Sequence, residues 1–145
     1  MIEILVTIAI LGIVITIISF SFSGLNAKQA LDKNTSLIVT ILNEARSMTL
    51  SSIDASQYGV NLQSGQVTLF KGSSYSSSDP DNVVTTAHSL VGLRDITLSG
   101  GGVDVVFRRL TGRTDQAGTF EIYLINEPTT FHTITISTTG MTEAN

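Results

Sequence analysis

The side chains that most often perform catalysis are few and scattered in this sequence. His88 and His132 are the only histidines, neither has a His or Cys at metal-ligand spacing, and the chain contains no cysteine. A serine or threonine nucleophile needs a base within reach, and no motif places either histidine beside one. There is no Gly-x-Ser-x-Gly segment and no phosphate-binding loop. We therefore expect no enzymatic activity, no cofactor and no metal site at the histidines.

One basic cluster could bind anions. Arg108, Arg109 and Arg113 lie close together and supply three of the eight positive charges. At a hairpin tip, these arginines could bind phosphate groups. Alternatively, they form a solvated turn and pair with Asp104 or Asp115. The second interpretation is preferred because the chain has a net charge of −4 and no general attraction for nucleic acid.

Glu3 is an isolated carboxylate in an apolar segment. It is the only charged residue between Met1 and Leu25, although the chain has 12 acidic and 8 basic residues. At full depth in a membrane a charged side chain costs about 2.5–3.5 kcal/mol, and less near the interface. Glu3 therefore either reaches the lipid headgroups or is neutralised by a partner when subunits pack.

The stretch Ile2–Phe22 has the length and apolarity of a membrane-spanning helix. As an α-helix it would be about 32 Å long, and the hydrocarbon core of a bilayer is about 30 Å thick. No basic region of the kind found in signal peptides accompanies it. The helical periodicity also continues beyond it, and no proline occurs before Pro80. The simplest interpretation is one helix from near Ile2 to near Ser51.

Apolar residues in the second half of this helix recur at spacings of three and four, which predicts one buried face. They are Ala27, Ala30, Leu31, Leu37, Ile38, Ile41, Leu42, Ala45 and Met48. This face would pack against a head domain.

Beyond Ser52 the pattern changes to short strands and turns. Tyr58–Leu62 and Gln66–Phe70 alternate around Gln63–Gly65 and predict a hairpin. Further strands are predicted at Val83–Ala87, Ile96–Leu98, Val103–Phe107, Thr119–Ile125 and His132–Ser137. Turns are predicted at Gly100–Gly102 and Glu127–Pro128.

These elements predict an α+β chain, in which a long N-terminal helix packs on a small antiparallel β head. Residues 1–25 would form a transmembrane or filament-core segment. Residues 26–145 would form the head, with the helix continuing over residues 26–51 and a β-rich region over residues 52–145.

The first residues, MIEILVTIAILGI, resemble the start of a mature type IV pilin or pseudopilin. In that family a basic leader ending in Gly precedes Phe-Thr, two apolar residues, Glu and an apolar helix. The leader Gly and the Phe-Thr pair are not in this sequence, so it contains no site for leader cleavage or for N-methylation of that Phe. Glu3 would be the family's charged anchor residue. Gly12 also matches a common pilin position, where the helix either loosens or packs closely; the proline often found several residues later is replaced by Phe20.

The resemblance implies a structural subunit of a type IV pilus-like or type II secretion filament. Subunits would wait as single-pass proteins in the cytoplasmic membrane with the head outside, and then join an extracellular or periplasmic filament. The implied partners are copies of this chain, other pilins, a platform protein driven by an assembly ATPase, and the membrane. Glu3 would pair with the N-terminal amine of a neighbour, because an unpaired carboxylate is costly in a core of low dielectric.

The head resembles the GspH/FimT branch of pseudopilins and minor pilins. That branch has an Ala-Arg-Ser-like helix end, a Phe-x-x-x-Gly strand and a final Ile-x-Ile-Ser-x-x-Gly segment. The corresponding residues here are Ala45–Ser47, Phe107–Gly112, which fits loosely, and Ile134–Gly140. Some members bind DNA through basic residues near the C-terminal tail, but Met141–Asn145 contains none.

Some pseudopilins bind Ca²⁺, and Asp79 and Asp81 are the candidate ligands for it here. Two carboxylates are a small part of the six to eight oxygen ligands that Ca²⁺ takes. We therefore interpret the polar segment Gly72–Pro80 as a mobile surface loop.

Two other functions stay open at this point. The chain could be a DNA-binding minor pilin used in DNA uptake, through Arg108, Arg109 and Arg113. It could also be a single-pass protein that does not polymerise and whose β head binds a partner. Nucleic acid is not an expected partner in the preferred interpretation.

Overall fold

The computed structural model describes the backbone of residues 2–145 and the side chains of residues 2–16 and 25–145. Helix α1 (Ile2–Leu50) is followed by a 3₁₀ turn (Ile53–Ala55) and, in the described chain, by eight strands. These are β1 (Tyr58–Gln63), β2 (Gln66–Lys71), β3 (Val83–Thr86), β4 (Val91–Leu98), β5 (Asp104–Val106), β6 (Gly118–Leu124), β7 (Glu127–Ile136) and β8 (Thr142–Ala144). They form two antiparallel four-stranded sheets, so the predicted α+β class is confirmed.

The C-terminal half of α1 packs on the sheets through one face. Its buried apolar residues are Leu31, Ile38, Ile41, Leu42 and Ala45, with Ala27, Ala30 and Met48 at the margin. The prediction for Leu37 was wrong, because this side chain is 40% exposed. Each residue turns a helix by about 100°, so Leu37 falls beside the face that Ile38 and Ile41 occupy.

Two polar residues complete that face of α1. Asn34 and Thr35 are both buried. The Thr35 hydroxyl donates to the Leu31 carbonyl at 2.9 Å, and the Asn34 carbonyl oxygen accepts from the backbone N–H of His88 at 3.0 Å. A buried polar group without a partner is costly, so these hydrogen bonds are what allow the residues to lie in the interface.

Helix α1 is tied directly to β1. Ser52, Asp54 and Ala55 have positive φ angles and reverse the chain after the helix. The buried Thr49 hydroxyl donates to the Ala45 carbonyl at 2.8 Å and accepts from the N–H of Tyr58 at 2.9 Å. The helix end and the first strand are therefore held in a fixed relation.

The first sheet has the order β3-β2-β1-β5. The predicted hairpin is confirmed, although Gln63 pairs with Gln66 and so leaves a loop of only Ser64 and Gly65. Consecutive residues of β1 and β2 are buried, which means that both faces of the sheet are covered.

Part of that cover comes from the polar segment predicted as a surface loop. The ring of Tyr75 meets the ring of Phe70 edge-on at 5.6 Å. The Asn82 amide donates to the Ser76 carbonyl at 2.7 Å and closes the loop on itself. This segment therefore packs on the sheet as well as facing solvent.

The second sheet has the order β4-β6-β7-β8. It differs from the sequence prediction in three respects. Strand β4 starts at Val91 rather than Ile96, and β8 was not predicted. Pro128, predicted in a turn, lies in β7. Strand β8 pairs with β7 only at residues 134–136, and the β6–β7 register shifts between Tyr123 and Leu124. Pro128 thus lies at an irregular strand end, where its missing N–H is tolerated.

One core joins α1 to both sheets. It contains the inward-facing residues of β1, β2, β4, β6 and β7 together with the buried face of the helix. Every buried residue in the described chain lies at Leu31 or later. None of the described core residues therefore lies before Leu31 in α1.

Candidate functional site

Residues 2–16 of α1 present an apolar surface on every side. Their side chains are all exposed. The large hydrophobic ones are Ile2, Ile4, Leu5, Val6, Ile8, Ile10, Leu11, Ile13, Val14 and Ile15. Because several are consecutive, and successive residues point about 100° apart, the apolar surface surrounds the helix. Glu3 lies in the first turn of this surface.

The threonine hydroxyls of this segment form hydrogen bonds with its own backbone. The Thr7 hydroxyl donates to the Ile4 carbonyl at 2.9 Å, and the Thr16 hydroxyl donates to the Gly12 carbonyl at 2.8 Å. Gly12 itself has open space around it, where a Cβ would meet no atom within 4 Å. Glu3 thus stands alone as a charge on an otherwise apolar surface, with room beside Gly12 for another chain.

Among the residues that the structure describes, no helix is long and apolar enough to cross a membrane. The predicted span Ile2–Phe22 extends into residues 17–24, whose side chains lie outside the described residues.

The three predicted arginines lie together in the loop between β5 and β6, the basic loop (residues 107–114). Phe107 is buried and pairs with Thr114 in an isolated antiparallel bridge. Within the loop, the Arg108 N–H donates to the Arg113 carbonyl at 2.7 Å, and the Gly112 N–H donates to the Arg108 carbonyl at 2.8 Å. The basic loop is therefore a closed turn with a defined shape.

The arginines have different partners. Arg108 forms an ion pair with Asp115, with Nε 3.0 Å from the carboxylate oxygen. Arg109 donates to the Ser52 hydroxyl. Within the described part of the chain, Arg113 has no ion-pair partner. Asp104, the other predicted partner, instead accepts from the amide of Asn61 at 2.6 Å.

An open cleft of about 570 Å³ lies beside the basic loop. All three arginines line it, together with Thr111, Thr114, Asp115 and Thr138. Guanidinium groups around a polar cleft can bind an anion by bidentate hydrogen bonds. Asp115 offsets part of this positive charge.

The basic loop is held against the end of α1 by Arg46. Its Nε donates to the Gly112 carbonyl at 3.2 Å, and its terminal nitrogen donates to the Thr139 carbonyl at 3.3 Å. Gly140 has φ +78°, and a Cβ at that residue would lie 2.0 Å from the Gly112 carbonyl oxygen. The Ala45–Ser47, Phe107–Gly112 and Ile134–Gly140 segments, far apart in sequence, therefore meet at one junction.

A second cleft, which was not predicted, lies beside a different face of the end of α1 from the basic loop. This Tyr58 cleft has a volume of about 240 Å³. It is lined by Met48, Asp54, Tyr58, Leu69, Phe70, Lys71, Asp81 and Val83. Its residues come from α1, the 3₁₀ turn, three strands and the loop between β2 and β3, so no local sequence pattern could have grouped them.

Charged groups in the Tyr58 cleft perturb one another. The Lys71 ammonium donates to Asp54 at 2.9 Å, and this hydrogen bond lowers the pKa of Asp54 and raises the pKa of Lys71. Burial raises the pKa of Tyr58, and the Asp54 carboxylate adds to that effect. Asp81 makes no ion pair within the described residues, but it lines the cleft and its charge adds to the raised pKa of Lys71 and of Tyr58.

The other predicted groups are separated from one another. The Asp79 carboxylate accepts from the Asp81 N–H at 2.9 Å, and no group of three or more potential metal ligands occurs among the described residues. His132 Nε2 lies 2.9 Å from an Asp32 carboxylate oxygen, whereas His88 Nδ1 accepts from the Leu90 N–H at 3.2 Å. Each histidine thus makes its own hydrogen bond, and the two do not share a site.

Comparisons of this chain with protein-family models, with curated proteins and with solved structures give no match.

Proposed function

We propose that this chain is a structural subunit of a type IV pilus-like or type II secretion filament, assembled through the first half of α1. The observation that carries the proposal is the apolar surface around residues 2–16, which the head's own core does not cover. A helix that is apolar on all sides is stable only where lipid or other protein surrounds it. Bundled copies of the same helix would supply that environment.

In this proposal helix α1 has two functions, one for each half. The first half anchors the subunit as a single-pass protein in the cytoplasmic membrane, with the head outside, before it enters the filament core. The second half is the spine of the head, whose buried residues begin at Leu31. Residues 1–25 and 26–145 are thus an anchor and a head, and the head faces outward in an extracellular or periplasmic filament.

Glu3 sets the register of packing in this proposal. In a bundle of apolar helices a carboxylate without a counter-ion carries a desolvation penalty of several kcal/mol. Arrangements that place Glu3 beside the N-terminal amine of a neighbour are therefore favoured over other registers. Gly12 offers a place for close helix contact, because no described side chain fills the space around it.

The junction at Arg46 supports assignment of the head to the GspH/FimT branch. The three motif segments quoted for that branch meet there, and Arg46 donates to carbonyls in two of them. A shared structural junction gives a physical reason for these residues to occur together in one chain. The partners would then be further copies, other pilins and the assembly platform protein.

Replacing Glu3 tests the proposal. The chain is expressed behind a prepilin-type leader, with the Phe-Thr pair included, in a bacterium that has the assembly machinery. Glu3→Ala should leave the membrane pool unchanged and lower the subunit in sheared filaments at least about tenfold, because the neighbour's amine loses its counter-ion. Immunoblots of the two fractions measure the ratio.

Glu44→Ala is the matched control, since Glu44 is an exposed carboxylate on the same helix with no ion-pair partner among the described residues. Filament levels of Glu3→Ala equal to those of Glu44→Ala would contradict the pairing role. Absence of the unaltered chain from filaments would instead favour the single-pass protein that does not polymerise.

DNA binding by a minor pilin is the second candidate function, favoured by the cleft between Arg108, Arg109 and Arg113. Three phosphate contacts predict a salt slope of about −2.7 on duplex DNA and a Kd of roughly 10⁻⁴ to 10⁻⁶ M. We expect this weak binding when the chain is titrated with duplex DNA at several salt concentrations. Submicromolar binding at physiological salt that is lost in Arg108→Ala/Arg109→Ala would make DNA uptake the better assignment.

A further inference from the structure

Leu110 is an apolar side chain at the tip of the basic loop with no place in the core. It is 70% exposed, more than any other large hydrophobic residue described after residue 16. Its φ is +66°, a left-handed conformation that is unfavourable for a residue with a side chain. The strain and the exposure are both unfavourable for the isolated head. Strained backbone conformations of this kind cluster at functional sites.

The loop holds Leu110 in a defined position. Hydrogen bonds within the loop close the turn, the Arg108–Asp115 pair supports one side and Arg109 is bonded to Ser52. Arg46 fixes the Gly112 carbonyl to the helix. Little ordering entropy would be lost when this loop binds, because its conformation is already set.

The Tyr58 cleft has the complementary character. Its walls contain the apolar side chains of Met48, Leu69, Phe70 and Val83. Its volume of about 240 Å³ is ample for one aliphatic side chain. Asp54 and Asp81 lie at the same cleft with a single cation, Lys71, which is bonded to Asp54. The cleft thus combines an apolar interior with a net acidic rim.

The basic loop and the Tyr58 cleft lie against different faces of the last turns of α1. Gly112 of the loop contacts Arg46 and Leu50, whereas Met48 lines the cleft. Residues two positions apart on a helix point about 200° apart. The loop of one molecule therefore cannot enter its own cleft, but it can enter the cleft of a molecule placed beside it with its helix parallel.

We propose that the basic loop of one subunit docks into the Tyr58 cleft of the next copy of this chain. Leu110 enters the apolar interior, and Arg109 and Arg113 face the carboxylates of Asp54 and Asp81. Because the two surfaces differ, the contact is heterologous and leaves one free loop and one free cleft, so it propagates along a filament. The inference rests on the proposed filament function and identifies its head-to-head interface.

Another copy of the chain suits this loop better than nucleic acid does. Phosphates would satisfy the arginines but leave Leu110 in water. The cleft removes Leu110 from water and also supplies the opposite charge, and apolar burial of one such side chain is a favourable contribution to binding. DNA binding remains a distinct outcome in the titration described above.

Cysteine cross-linking tests the contact, and the chain has no native cysteine to interfere. The variant Leu110→Cys/Val83→Cys is expressed with the leader and assembly machinery, and sheared filaments and membranes are treated with a short bis-maleimide. We expect a ladder of cross-linked chains on a denaturing gel. Leu110→Cys/Val84→Cys is the matched control, because Val84 has similar exposure (52%, against 57% for Val83) but points to the opposite side of β3.

A charge exchange tests the same contact without cross-linking. Asp81→Arg should reduce filament incorporation about tenfold, and Asp81→Arg/Arg113→Asp should recover most of it. Neither side chain has an ion-pair partner among the described residues, and unfolding midpoints of both variants equal to that of the unaltered chain would show that the fold is intact. Leu110→Gly should also lower incorporation, while its unfolding midpoint stays at or above that of the unaltered chain, because glycine relieves the positive φ.

The outcomes separate this contact from the filament function. Filaments that give no ladder, or a ladder equal to that of the Val84 control, would overturn the contact and leave the filament function in place. A ladder in membranes without any filaments would support the contact and contradict the filament function. Absence of both filaments and ladder would contradict both.

Discussion

At the scale of single residues, the charged groups of the head fall into paired and free sets. Lys71–Asp54, Arg94–Glu121 and Arg108–Asp115 are ion pairs. Arg94 is also held over the rings of Tyr123 and Phe131 at 4.6 and 5.4 Å. Arg113 and Asp81 have no ion-pair partner in the described part of the chain. Other charged groups of the described chain, Glu44 among them, are also unpaired, but Arg113 and Asp81 line the two clefts and are available to a neighbouring molecule there.

Replacement of Asp54 should change the stability of the head in a pH-dependent way. Lys71 lowers the pKa of Asp54 in the folded chain, so the stabilisation by this pair is present above the ordinary pKa of about 3.9 and is lost as pH falls through the folded value. Asp54→Asn should therefore lower the free energy of unfolding at pH 7, with the difference from the unaltered chain disappearing below that range. Urea unfolding at a series of pH values measures it.

Asparagine is the suitable replacement because Asp54 has φ +52°, which Asn tolerates better than most residues. The pair is exposed, so high salt should diminish the difference at pH 7. A difference that stayed constant down to pH 2 would show that Lys71 does not stabilise the Asp54 carboxylate.

At the scale of elements, the junction between α1, the basic loop and the β7–β8 turn is the most constrained part of the head. Gly140 is buried there with a positive φ, and the Gly112 carbonyl occupies the place of its missing side chain. Arg46 adds two hydrogen bonds to the same loops. Close backbone contact, and not only turn geometry, therefore requires glycine at residue 140.

Gly140→Ala should destabilise the head by about 2–5 kcal/mol, because overpacking adds about 1–3 kcal/mol to a cost of about 1–2 kcal/mol for the positive φ. Gly100→Ala is the matched control, since Gly100 has φ +88° but no atom within 4 Å of an added Cβ. It should cost only about 1–2 kcal/mol. Chemical denaturation of the two variants compares them, and equal losses would contradict the close contact at Gly140.

At the scale of the whole molecule, the head should fold without the first part of α1. The core contains only residues from Leu31 onward among those described, and α1 reaches both sheets through that part. A fragment of residues 26–145 keeps every core residue that the structure describes and loses the apolar surface around residues 2–16. Asn26 can also serve as an N-cap for the shortened helix.

This fragment should be soluble and monomeric at low concentration, and should unfold in one cooperative transition. Sedimentation and urea unfolding followed by two probes would measure both properties. Aggregation, or separate transitions for the helix and the sheets, would show that the anchor and the head are not separable.

The sequence by itself determined the features that depend on near neighbours in the chain. The spacing of Leu31, Ile38, Ile41 and Ala45 predicts the buried helix face, and alternation around Gln63–Gly65 predicts the β1–β2 hairpin, because both signals repeat within a few residues. The isolation of Glu3 and the grouping of the arginines were visible for the same reason. A resemblance carried by short motifs supplied the functional hypothesis.

Only the tertiary structure decided which distant residues share a surface. Strand β8 is too short to have a pattern of its own and exists because β7 offers it an edge. Leu37 is apolar yet exposed, since the position of the sheets sets the width of the buried face. The Arg46 junction and the Tyr58 cleft each combine residues from several elements, and packing of the whole chain is what brings such residues together.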